Sequence, residues 1–206
     1  MEGKFIVIEG LDGSGKTTQI RMLSAKLRAM GRAVAETAEP ATNATGGLIR
    51  DALSGFTPRT GTEIAALFMA DRVAHNVNPV NGIGVILAQG RDVICDRYYY
   101  SSLAYQGVVS DPEWVYHINV DCPEIRKPDL CVFLDLDEEA CIRRMEQGRS
   151  NREIYENENT LIAVRRRYYD AFRRLAGRDD IRIVNADRTP EEVAEDVFAA
   201  VREILE

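Results

Sequence analysis

Gly10-Leu11-Asp12-Gly13-Ser14-Gly15-Lys16-Thr17 follows the spacing GxxxxGK[ST], in which each fixed residue has a chemical task. Glycines let the backbone wrap closely around phosphate oxygens with its N–H groups turned inward, and a helix starting directly afterwards presents its positive end to the same anion. Gly10, Gly13, Ser14 and Gly15 would form the cradle. Lys16 can bridge the β- and γ-phosphates of a nucleoside triphosphate, and the Thr17 hydroxyl can ligate Mg2+. The motif alone specifies a triphosphate and a metal, and leaves switch, motor and kinase open.

A second constellation is Val93-Ile94-Cys95-Asp96-Arg97-Tyr98. A carboxylate at the C-terminal edge of a parallel strand faces the crevice in which open α/β sheets bind ligands, so Asp96 can reach the metal or its water shell. The bland alternative is a surface ion pair between Asp96 and Arg97. Arginines also cluster around Arg143 to Arg152 and Arg165 to Arg174, a pattern suited to recognition of a small anion.

These residues need a scaffold, and the apolar pattern predicts one. Phe5-Ile6-Val7-Ile8 reads as a buried strand, followed by Ile20, Leu23, Leu27 and Met30 at helical spacing with Gly31 as the stop. Further strands are expected over Ala33–Thr37, Asp92–Asp96, Leu130–Asp135 and Ile181–Val184, with helices over Thr62–Val77 and Asp137–Gln147. Leu161, Val164, Tyr168, Phe172 and Leu175 form another helical stripe, and Thr189-Pro190-Glu191-Glu192 is a capping box with proline at the first helical position. Strands alternating with helices imply right-handed crossovers, hence one α/β domain in three layers (α/β/α) around a five-stranded parallel sheet. No repeat or linker divides residues 1–206.

The chain has 206 residues and a net charge of −7; the broad basic field needed to hold a nucleic-acid polymer is missing. Cys95, Cys122, Cys131 and Cys141 form no CxxC pair and have no zinc-like spacing with His75 or His117. All four are expected in the core. The chain opens directly into a strand, and no apolar run is long enough to span a bilayer. That leads to the expectation of a cytoplasmic protein without a membrane partner.

The motifs now match a family. The loop Gly10 to Thr18 with its internal acid, Glu39-Pro40, Leu67-Phe68-Met69-Ala70-Asp71-Arg72, Asp96-Arg97-Tyr98 with Ser101-Ser102-Leu103-Ala104-Tyr105-Gln106-Gly107, Pro128-Asp129-Leu130 and Phe133-Leu134-Asp135-Leu136-Asp137 resemble the thymidylate kinases across nearly the whole chain and in family order. The resemblance implies transfer of the γ-phosphate of ATP to dTMP with Mg2+, and a homodimer. It implies that Phe68 stacks on thymine and that Arg72 donates to the ring's 4-carbonyl. It assigns Arg97 and Arg50 to the acceptor phosphate, and Asp12 and Tyr105 to the deoxyribose. Glu39, Ser102 and Gln106 join the acceptor side; Asp12, Thr18 and Arg144 join the donor side.

Residue chemistry agrees with part of this. Phe68 and Arg72 are four apart and so share a helix face, and a guanidinium, which only donates, disfavours cytosine's amino group. Spacing alone would make Phe68 plain core. The family also needs an arginine over the transferring group, in the phosphate loop or in a lid. Gly13 stands where some relatives carry that arginine, so a lid at about 144–156 is expected to supply it. Arg149 and Arg152 are the candidates, with a solvated helix end as the alternative. Ala38 before Glu39-Pro40 and Ala41-Thr42-Asn43 after it depart from the family pattern, as does Asn151 in the lid. Lys16, Asp96, Arg97, Arg149 and Arg152 are therefore the expected catalytic residues, and Thr17 and Asp96 the metal ligands. Two rival readings remain: a kinase for another nucleotide, and a regulatory P-loop NTPase.

Overall fold

Five short, largely apolar runs pair side by side in the computed structural model, which describes residues 2–148 and 158–205. They are β1 (Phe5–Gly10), β2 (Val34–Ala38), β3 (Asp92–Asp96), β4 (Leu130–Asp135) and β5 (Ile181–Asn185). All pairs are parallel and the order is β2-β3-β1-β4-β5. Every residue of the central strand β1 is buried, as expected of a parallel strand covered on both faces. Chain order reverses on either side of β1, so the crevice of the fold opens at the C-terminal ends of β1, β3 and β4.

The expected helices appear as α1 (Lys16–Ala29), α3 (Gly61–Val77), α8 (Glu138–Gly148), α9 (Glu158–Leu175) and α10 (Pro190–Leu205). Ile20, Leu23 and Leu27 are buried, but Met30 is 53% exposed because α1 has ended and Gly31 already turns with φ 83°. The stripe Leu161, Val164, Tyr168, Phe172 and Leu175 is buried throughout. Thr189 and Glu192 exchange the hydrogen bonds of a capping box at the start of α10.

The structure adds α2 (Ala44–Leu53), α4 (Ile83–Ala88), α5 (Tyr99–Ser101), a π-helical turn over Ser102–Gln106, α6 (Gly107–Val109) and α7 (Pro112–Val120). Ile49 and Ala52 of α2 pack on Ile64 and Phe68 of α3 in a satellite cluster that stands over the crevice. Tyr98, Tyr99 and Tyr100 are core residues; Tyr99 and Tyr100 both donate to the buried Asp179 carboxylate, which explains the aromatic run. Cys95, Cys131 and Cys141 are buried. Cys122, by contrast, is half-buried, because it lies in the loop just past α7. Among the described residues no helix is long and apolar enough to cross a membrane.

Candidate active site

The loop between β1 and α1 has the shape its glycines allow. Gly13 (φ 85°) and Gly15 (φ 100°) adopt left-handed conformations. A Cβ on Gly13 would stand 2.5 Å from the Cys141 carbonyl oxygen of α8, whereas one on Gly15 would meet nothing within 4 Å. Gly13 is thus closed to any side chain while α8 stays in place, which is why no arginine can sit at this loop position. The buried Lys16 ammonium donates to the carbonyls of Gly10 (3.2 Å) and Leu11 (3.1 Å) and lies 3.7 Å from Asp12.

One cleft of about 560 Å3 gathers the residues on which the sequence argument rests. Asp12, Gly13, Gly15, Lys16, Thr17, Thr18 and Arg144 line its loop side; Glu39, Arg50, Phe68, Arg72, Tyr105 and Gln106 line the other, with Asp96 and Arg97 also in its wall. Gly10, Ser14 and Ser102 are not among the lining residues; Ser102 touches the site through Arg72, whose Nη2 donates to it at 3.1 Å. Arg149 and Arg152 lie outside the described residues, as does the rest of the expected lid beyond Gly148.

Asp96 and Arg97 do not form the ion pair offered as the bland alternative; Arg97 turns to Asp12 instead, at 2.6 Å. Arg97 has φ 66°, a conformation unusual for a side-chain-bearing residue. Its fork also donates to Ser101 Oγ (3.0 Å) and to the hydroxyls of Tyr168 and Tyr105 (3.4 Å each). Tyr105 is delivered by the π-helical turn, a feature that often re-aims side chains at functional sites.

Glu9 is a residue the motif reading missed. It is fully buried at the end of β1, where Oε1 accepts from the N–H groups of Tyr98 (2.7 Å) and Ser101 (3.2 Å), and Oε2 from the hydroxyls of Ser101 (2.7 Å) and Tyr168 (2.8 Å). Four donors that frame Arg97 thus converge on one carboxylate. A charged residue inside an otherwise apolar strand was the available signal.

Burial raises the Glu9 carboxyl above 4.5, against the opposing pull of Arg97 and the four donors. A folded-state value above the unfolded one means that its contribution to stability is full below about pH 4.5 and declines as pH rises through the folded value. The Glu9→Gln variant lacks that slope. Its melting temperature relative to wild type is therefore expected to improve as pH is raised from 4.5, which paired thermal melts across pH would check. Glu9→Ala should instead be destabilised at every pH, since each buried N–H left unpaired costs about 1–3 kcal/mol.

The cleft wall opposite the loop is held by a second buried network. Glu39 accepts from Arg72 Nε (2.7 Å) and pairs with His75 Nδ1 (3.1 Å), while His75 Nε2 meets Thr37 Oγ1 at 2.7 Å. The unusual flank after Glu39-Pro40 is fixed as well. Ala41 N–H donates to Asp71 (2.7 Å), Arg50 donates to the Pro40 and Ala41 carbonyls, and Asn43 caps α2 by accepting from Gly46 N–H. Ala41 and Asn43 thus both have structural partners.

For a metal, no group of three or more His, Cys, Asp or Glu is present among the described residues. Asp96 and Thr17 nevertheless share the cleft, and Asp96 Oδ1 is buried without a hydrogen-bond partner. One carboxylate and one hydroxyl fit Mg2+, which is usually held by one or two protein oxygens with substrate phosphates and water completing the shell.

Known proteins resemble the chain over nearly all of its length. The family model described as thymidylate kinase matches residues 8–197. A probable thymidylate kinase of Pyrococcus abyssi is 40% identical, covering 100% of this chain and 98% of that protein. A thymidylate kinase of Pelotomaculum thermopropionicum is 37% identical over 100% of this chain and 96% of its own length.

Proposed function

Because the chain belongs to the thymidylate kinase family, we propose that it transfers the γ-phosphate of ATP to dTMP, giving dTDP and ADP, with Mg2+ held at Thr17 and Asp96. The observation that carries this reading is a single cleft with a phosphate loop on one side and Phe68, Arg72 and Tyr105 on the other. A triphosphate and a nucleoside monophosphate can then meet with Arg97 between them.

The nucleophile needs little help. A phosphate monoester with a second pKa near ~6 is mostly dianionic at neutral pH, so no strong general base is required. The chain's part is alignment and positive charge. The loop N–H groups and Lys16 would hold the donor's phosphates, with Arg144 beside them. Arg97 and Arg50 would hold the acceptor phosphate; a planar fork suits two phosphate oxygens at once. Mg2+, when bound, neutralises charge on the β- and γ-oxygens. Arg149 and Arg152 belong to the same proposal as the lid's contribution over the transferring group.

On the acceptor side Phe68 would stack on the base, an interaction of about 1–3 kcal/mol. Arg72 would donate to the ring carbonyl, with Glu39 behind it, and Ser102 and Gln106 beside it. Asp12 and Tyr105 would border the sugar, where a bulky ring disfavours a 2′-hydroxyl. A homodimeric, cytoplasmic enzyme is part of this reading and rests on the family resemblance.

The test is ADP formation from ATP and Mg2+ with each nucleoside monophosphate supplied in turn. Turnover with dTMP far above the rest is expected. Equal turnover with another acceptor would overturn the roles given to Phe68, Arg72 and Tyr105, and hydrolysis indifferent to acceptor would move the chain to the regulatory NTPases.

A further inference from the structure

Arg72 lies in the wall of the cleft and is fully buried. Its guanidinium has five N–H groups and no acceptor. Three are committed: Nε to Glu39 on the strand-end segment after β2, Nη2 to Ser102 on the π-helical turn, and Nη1 to the side-chain oxygen of Asn119 on α7. One N–H on each terminal nitrogen is left, which is the pair a base carbonyl can use.

Asn119 belongs to none of the family-like motifs, and it is not among the residues that line the cleft. Its side chain is nonetheless fully buried and has a fixed sense. Nδ2 donates to the Val115 carbonyl one turn earlier at 2.8 Å, so Oδ1 is the atom left to face Arg72. The reverse orientation would set an NH2 against a guanidinium, two groups that can only donate. The amide therefore supplies a neutral acceptor at a place where Glu39 already balances the charge. A second carboxylate is not needed there, but an acceptor is.

We propose that Asn119 is a specificity-positioning residue: it locks the Arg72 fork from behind, so that the two remaining N–H groups face a pyrimidine bearing a carbonyl, and not an amino group, at ring position four. This rests on the reading of Arg72 as the base-reading residue. With Asn119 absent, one terminal nitrogen loses its anchor and the fork can turn about its Glu39 contact. Discrimination between dTMP and dCMP then weakens, while the donor side is untouched.

The measurement is the ratio of kcat/KM for dTMP to that for dCMP, in Asn119→Leu, Asn119→Asp and Arg72→Lys, with KM for ATP recorded alongside. Asn119→Leu, similar in size but without an acceptor, is expected to lower the ratio about ten- to a hundredfold, the worth of one hydrogen bond to a charged group. KM for ATP should stay at the wild-type value. Asn119→Asp, which keeps an acceptor oxygen, should retain most of the ratio even where its melting temperature falls. Asn119→Ala takes the place of the leucine variant if that protein does not fold. A wild-type ratio in both Asn119→Leu and Asn119→Ala, with a collapsed ratio in Arg72→Lys, would overturn the inference and leave the base-reading role intact. A wild-type ratio in Arg72→Lys as well would instead remove the base-reading role on which it rests. Equal losses in the leucine and aspartate variants would reduce Asn119 to packing.

Discussion

Lys16→Ala is expected to lower kcat by about 10²–10³-fold, the loss typical of removing one preorganised group that stabilises developing transition-state charge. The ammonium is buried in the loop, fixed by the Gly10 and Leu11 carbonyls and by Asp12. Burial, followed by the nearby Arg97 charge, holds the Lys16 pKa below its ordinary 10.5. Folding thus gains little from that charge, and the melting temperature should change far less than the rate. Thermal melts alongside single-turnover kinetics separate the two. Near-normal turnover would mean that the loop holds something other than the transferring phosphate.

Arg97 carries the second large effect. Arg97→Ala is expected to reduce kcat/KM for dTMP by about 10³-fold, comparable with the lower range for arginines that stabilise phosphoryl transfer. Arg97→Lys should recover only part of it, since a lysine keeps the charge but not the planar fork. The backbone supplies an internal control. At φ 66° a residue with a Cβ is strained, by about 1–3 kcal/mol at positions of this kind. Arg97→Gly and Arg97→Ala should be similarly inactive, with the glycine variant melting higher, by roughly 2–4 °C for each kcal/mol of strain relieved in a chain of this size. Equal melting temperatures would show that the turn is not strained.

How these residues come to share one cleft was only partly legible in the sequence. The phosphate loop could be read because its residues are contiguous and lie between an apolar strand and a periodic helix. The central strands β1, β3 and β4 could be read because parallel strands buried on both faces are near-continuous apolar runs, whereas the edge strands β2 and β5 are only partly buried. The helices α2 and α4 to α7 could not, since they are short and their apolar residues follow no clean period. The 99–109 stretch also switches from α to π geometry, which no spacing rule anticipates.

The site shows the same division. Arg97 was legible as a charged residue behind a buried strand, yet its partner is Asp12, 85 residues away in the chain, and not the neighbouring Asp96. Glu9 left a trace, as an acid in an apolar run. Asn119 and His75 left none, because a buried amide or imidazole is given its meaning by partners 47 and 36 residues distant. Gly13 was legible as the absence of an arginine, but its reason, the Cys141 carbonyl against the loop, belongs to the packing of α8.

The most direct measurement follows the label from ATP carrying 32P at the γ-position, incubated with the enzyme, Mg2+ and an equimolar mixture of dTMP, dCMP, dAMP and dGMP. Label accumulating in dTDP is the predicted result, since the phosphate loop and the Phe68–Arg72 face would then be serving one transfer. Label appearing chiefly in inorganic phosphate, or spread evenly among the diphosphates, would contradict it.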